Sequence, residues 1–234
     1  MLGSIVLTLA LTHAAGAPGE RIYEVTSTGD RAELAKFLRR YVAHITAEVA
    51  REDSVLSEPA RTGYAVPWTD HLLAVLCFTV EDAKRIRVQG PDGSLFAKII
   101  LYDAERRVAL LETTDPLSKI GLVPVSRVKT SELKVEQPVF ALVSTLEEAG
   151  VVDGVITDLG EEPELEGHPR TDLLLTHGMP VFDDRARFIG YARAVAWDRD
   201  RQMLVPPDKI SAAQAATHAR DAKKTSSERP WWGR

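Results

Sequence analysis

The chain has a single cysteine, Cys77. No intramolecular disulfide can form, so stability must come from a packed core. Cys77 lies in the apolar run Leu72–Phe78, which points to a buried, inert thiol rather than a nucleophile. Long hydrophobic runs are also missing: none reaches the ~18 residues that a membrane-spanning helix requires, so no integral span is expected. Positive charge is dispersed and slightly outnumbered by negative charge. The net charge is −5, and Arg39-Arg40, Arg106-Arg107 and Lys223-Lys224 are only pairs. A mildly acidic chain has no electrostatic reason to bind nucleic acid or anionic lipid. H-E-x-x-H, C-x-x-C, G-x-x-x-x-G-K-[ST] and G-x-G-x-x-G are all absent, so neither a metal nor a nucleotide cofactor is expected. No fixed-period repeat and no low-complexity tract occurs.

What is there suits a globular protein. The 234 residues are 44% hydrophobic and 27% charged. That is enough for one core domain with extensions, or for two small barrels sharing an interface. Residues 1–17 resemble a signal peptide: an apolar run from Ile5 to Leu11 precedes Ala15-Gly16-Ala17. A positive leading region is missing, and a first strand or a misplaced start codon are the alternatives. Cleavage would imply a secreted or periplasmic protein, and its absence a cytoplasmic one.

Residues 18–61 read as an N-terminal extension. Within it Leu34, Phe37, Leu38, Tyr41, Val42, Ile45 and Val49 recur every three or four positions, which predicts an amphipathic helix over 32–51. Such a helix covers its own barrel or serves self-association. Residues 52–61 resemble a linker. Beyond it the pattern changes to short apolar runs separated by turn signals, such as Gly90-Pro91-Asp92-Gly93 and Asp153-Gly154. Many short, closely spaced strands predict an all-β barrel or sandwich. Pro207-Asp208 opens a C-terminal helix to about Lys223. The tail 225–234 carries Trp231-Trp232, which either stays solvated or anchors in a groove.

The order of several segments resembles the protease domain of the HtrA-type (DegP-like) trypsin-like serine proteases, across residues 62–210. Leu73–Ala83 (LAVLCFTVEDA) is similar to the strand that ends in Asn-His-Val-Val. Arg85–Ile99 (RIRVQGPDGSLFAKI) resembles the hairpin after it, and Tyr102–Leu111 (YDAERRVALL) the D-x-x-x-D-L-A-L-L segment. Val135–Val143, Gly150–Gly160, Thr171-Asp172, Phe188–Val195 and Met203–Ile210 resemble successive pieces of the second barrel. The resemblance implies a double β-barrel, with a first barrel over 62–134, a second over 135–210 and a helix and tail over 211–234.

It also implies that the catalytic machinery is gone. Phe78 stands where the family has histidine, and Arg107 where it has the orienting aspartate. His177-Gly178-Met179-Pro180 replaces the loop that bears the nucleophile, with serine and neighbouring glycines deleted. Phenylalanine accepts no proton, and an arginine opposes an imidazolium rather than stabilising it. Loss of the serine turn removes the backbone donors of an oxyanion hole.

Peptide binding by strand addition can survive such losses. The expectation is a non-catalytic homologue with a protein or peptide partner, and with Asp172, His177 and Tyr191 as candidate groove residues. A structural subunit is one alternative. An active hydrolase using a serine from 126–131 with His71 or His177 is another. Of the remaining histidines, His168 lies in the acidic stretch Glu161–His168. Alternating glutamates there fix no coordination geometry, so a solvated loop is the simpler reading.

Overall fold

A computed structural model describes residues 28–49, 60–144, 149–161, 167–193 and 202–227. The chain is mostly β and forms two closed antiparallel six-stranded barrels. The first holds β1 (Ala43–Val49), β2 (Ala60–Pro67), β3 (Leu72–Leu76), β4 (Ala83–Gly90), β5 (Gly93–Asp103) and β6 (Val108–Thr113). The second holds β7 (Pro138–Ser144), β8 (Ala149–Asp158), β9 (Arg170–Thr171), β10 (Pro180–Asp183), β11 (Phe188–Arg193) and β12 (Gln202–Val205). Barrel one runs β1-β2-β3-β6-β5-β4 and barrel two β7-β8-β9-β12-β11-β10. The two windings are the same. Closure leaves no unpaired sheet edge.

The first strand comes from the segment expected to be helical. Helix α1 covers Thr28–Leu38, a 3-10 turn covers Arg39–Tyr41, and β1 follows. The predicted helix 32–51 is therefore half helix and half strand, and barrel one begins at residue 43 rather than 62. Along β1, Ala43, Ile45 and Ala47 are fully buried while His44 and Thr46 are half-buried. That is period two, carried partly by alanines that a helix tolerates equally well. Leu34, Leu38 and Tyr41 pack between the barrels, and Ile45 packs inside the first one.

Three apolar layers hold the molecule. The interior of barrel one includes Leu73, Val75, Val88 and Leu111, and that of barrel two Val139, Val181, Ile189 and Leu204. The third layer lies between the barrels and includes Trp68, Phe140, Phe182, Phe188 and Tyr191. Strands β3 and β6 are buried on both faces. Leu73 and Val75 point into the barrel while Ala74 and Leu76 face its neighbour. This explains their continuous apolar sequences. Tyr191 ties the layers together: its hydroxyl donates to the Ala74 carbonyl at 2.6 Å and accepts from the Val66 N–H at 2.9 Å. It is fully buried, so the expectation that Tyr191 borders a groove is corrected.

Helix α3 (Pro207–Ser227) follows β12. It starts at Pro207, a residue suited to a first helical turn. Its Asp208 carboxylate accepts from the backbone N–H and hydroxyl of Thr130, each at 2.9 Å. Among the described residues no helix is long and apolar enough to cross a membrane. Residues 1–17, read above as resembling a signal peptide, residues 52–59 of the expected linker, Glu162, Glu164, Glu166 and Trp231-Trp232 lie outside the described residues.

Candidate functional site

Five chain segments meet where the barrels face each other. Strand β3 ends at Leu76, and the chain makes one helical turn, α2 (Cys77–Val80). From β2, the Arg61 guanidinium donates to the carbonyls of Phe78 and Glu81 at 3.0 and 3.1 Å. These bonds satisfy carbonyls that a turn this short leaves open. Arg107 closes the β5–β6 turn with left-handed backbone, φ 62°, and its carbonyl accepts from the Cys77 N–H at 3.0 Å. The turn at His177-Gly178 leads into β10, and Arg193 ends β11.

These segments border a cleft of about 300 Å³. Phe78, Glu81, Tyr102, Arg107, His177 and Arg193 form its walls. Leu76, Cys77, Ala104 and Val205 complete the lining. The Phe78 and His177 rings lie 4.3 Å apart, tilted by 58°. Gly178 passes beneath the same phenyl ring with φ 89°, and an added Cβ would meet Phe78 at 3.2 Å. The backbone conformation favours glycine, and any larger residue would also press on the Phe78 ring.

Burial and neighbouring charges shift three titratable groups of the lining. Burial lowers the His177 pKa, and the Arg193 and Arg107 guanidiniums lower it further, so the imidazole is neutral at neutral pH. Burial pushes the Cys77 thiol up to about 11. Its Sγ donates to the Asp103 carbonyl at 3.4 Å. The thiolate, the reactive form, is therefore disfavoured at neutral pH. Desolvation, with the Cys77 and Glu81 charges, pushes Tyr102 up to about 12. The described lining contains no serine or threonine.

The turn beside the cleft also withholds its backbone donors. The Gly178 N–H donates to the Ala192 carbonyl at 2.7 Å, and the Met179 N–H to the Thr176 carbonyl at 3.2 Å. Ala192 returns a bond from its N–H to the Met179 carbonyl at 2.8 Å. Neither the Gly178 nor the Met179 amide is open to an oxyanion.

Phe78, Arg107, His177 and Gly178 thus come together, although 99 residues separate His177 from Phe78 (177 − 78). Met179 and Pro180 are buried and do not line the cleft; Met179 packs in barrel two. Asp172 does not line it either. Its carboxylate accepts from the Val155 N–H at 2.8 Å and so trims the end of β8. His71 and the serines at 126 and 131 are absent from the lining. His71 Nδ1 lies 3.2 Å from the Thr113 carbonyl, and buried His168 Nδ1 lies 2.9 Å from the Leu204 carbonyl. Both are structural contacts. Among the described residues no group of three His, Cys, Asp or Glu side chains could hold a metal.

Glu81, Tyr102 and Arg193 were not singled out from the sequence. Glu81 follows Phe78 in the acidic stretch after β3, and Arg193 ends the apolar run of β11. Only the folded barrels bring those ends together. No protein-family model matches the chain, and no curated protein matches it either.

Proposed function

We propose that the chain is a trypsin-like protease homologue of the HtrA type that binds a peptide without cleaving it. One observation carries this reading. The positions that the resemblance assigns to histidine, aspartate and the nucleophile loop border one cleft between two barrels of identical winding. They are filled by Phe78, Arg107 and His177-Gly178.

The chemistry of those residues supports a non-catalytic role. Phenylalanine is no base, and Arg107 opposes protonation of the nearby imidazole. The amides of Gly178 and Met179 are already bonded. A serine-protease pathway needs a nucleophile, a base within hydrogen-bond reach and free oxyanion donors. A recessed cleft with an apolar floor and a few polar groups still suits ligand binding.

The test is incubation of the purified protein with a fluorophosphonate probe and unfolded protein, beside an active trypsin-like protease. The expected result is no label and no cleavage. Stoichiometric labelling would overturn the reading, and the labelled peptide would identify the nucleophile.

An assembly role is the second reading. The outer face of barrel one exposes Phe96 at 54% and Ile100 at 43%, which favours a contact surface. Mass measurement in solution, with and without Phe96→Ser, separates the two.

A further inference from the structure

We infer that the cleft holds the anionic end of a peptide: a terminal carboxylate between Arg107 and Arg193, with the last, apolar side chain against Phe78. This rests on the reading of the cleft as a peptide site and names the chemistry it selects.

The first argument is charge. The chain carries −5 overall, yet the charged side chains bordering the cleft are Arg107, Arg193 and Glu81. Glu81 is itself engaged by Arg61, whose Nη1 lies 3.6 Å from its Oε2. The adjoining carboxylate of Asp103 is held by Arg106 at 2.8 Å. Each of these two carboxylates thus has an arginine outside the lining beside it, and among the described lining residues two arginines stand against one glutamate. A guanidinium presents a planar pair of donors that matches a carboxylate.

The second argument is shape. Phe78 is 37% exposed, and its ring opens on a recess whose other apolar walls are Leu76, Ala104 and Val205. An apolar surface beside two cations asks for a ligand with both features on neighbouring atoms. A peptide ending in an apolar residue has them, and so does an internal acidic residue beside an apolar one. His177 adds a reporter. Burial first, and then Arg193 and Arg107, lower its pKa, so a bound anion beside the arginines relieves their repulsion and raises it. Phe78, Glu81, Tyr102 and Cys77 complete its surroundings across the cleft.

The test uses the full chain and acetylated tripeptides ending in Leu, Phe or Val, as free acids and as amides. Binding is read by fluorescence, and the His177 ring proton by NMR. The acids should bind about tenfold to a hundredfold more tightly than the amides, the range for loss of a charge-assisted pair. Arg107→Gln and Arg193→Gln should each remove most of that difference, while Arg107→Lys keeps it. The His177 pKa should rise on binding. Equal binding of acid and amide would overturn the inference but leave the cleft a peptide site. No binding of either at millimolar concentration would overturn both. Inorganic phosphate binding as tightly as the acids would overturn the apolar half. A tripeptide amide with an internal Asp, binding like the acids, would keep the chemistry but move its source to a side chain.

Discussion

In the first barrel the strands that close the cylinder, β1 and β4, meet over six registered pairs from His44–Gln89 to Val49–Ala83. In the second, β9 is two residues long, and it meets β8 and β12 through two pairs each. Barrel two makes up the deficit with side chains. The buried Gln202 amide accepts from the Leu175 N–H at 2.9 Å and donates back to the Leu175 carbonyl. Thr171 Oγ1 donates to the Val155 carbonyl at 2.9 Å, and His168 Nδ1 approaches the Leu204 carbonyl. One winding is thus closed by ladder bonds in one copy and by buried side-chain polar groups in the other. The interiors, by contrast, agree. Both are aliphatic, and the large buried aromatics Tyr41, Phe182, Phe188 and Tyr191 lie in the layer between barrels. A narrow six-stranded cylinder is filled by branched aliphatic side chains and alanine, so bulky rings are left for the interface.

The sharpest challenge to this comparison is Phe188→Ala. It removes a ring packed edge-on against both Phe182 and Tyr191. A loss of about 3–5 kcal/mol is expected, read by urea denaturation. If the interface couples the barrels, unfolding stays a single transition. Two separated transitions would show each barrel standing alone.

Asp183→Asn tests the polar economy of barrel two. The buried carboxylate accepts from the N–H groups of Arg185 and Arg187 and from the Arg187 side chain. Breaking a buried pair costs about 3 kcal/mol or more, visible in the denaturation midpoint. Gln202→Leu should follow at about 1–3 kcal/mol, because it orphans the Leu175 N–H and carbonyl. Hydrogen exchange should quicken in β9 and β12 while barrel one is unchanged.

Tyr191→Phe keeps the ring and removes the hydroxyl bridge to Val66 and Ala74. About 1–3 kcal/mol should be lost. The smallest effect concerns pH. The folded pKa of His177 lies below its ordinary 6.5, first through burial. The folded state therefore resists a proton that the unfolded chain accepts. Stability is full above about pH 6.5 and falls as pH drops through the folded pKa. His44, lowered by burial and Arg39, acts in the same direction. His177→Gln should flatten part of this slope between pH 7.5 and pH 5 and His44→Gln another part, read from urea midpoints.

Much of the β architecture was legible because alternation and turn chemistry are local. Gly90-Pro91-Asp92-Gly93 marks the β4–β5 hairpin, and the runs at β3, β6, β7 and β11 announce themselves as apolar. Segment 43–49 was not legible. Ala43, Ile45 and Ala47 fit either period, and the preceding helix extends the same apolar spacing. Phe78, Arg107 and His177, singled out from segment order, lie on the lining of one cleft. Glu81 and Arg193 were hidden, because each is an ordinary charged residue at the end of a strand or turn.

By itself the sequence determined that the core is disulfide-free and that short antiparallel strands dominate. Those are matters of residue type and near-neighbour spacing. The tertiary structure decided that residues 43–49 complete a barrel, that Tyr191 is buried as a bridge rather than offered to a ligand, and that two arginines share one cleft with a neutral histidine. Each depends on long-range register, since a strand's faces acquire meaning only when its partners determine which one turns inward.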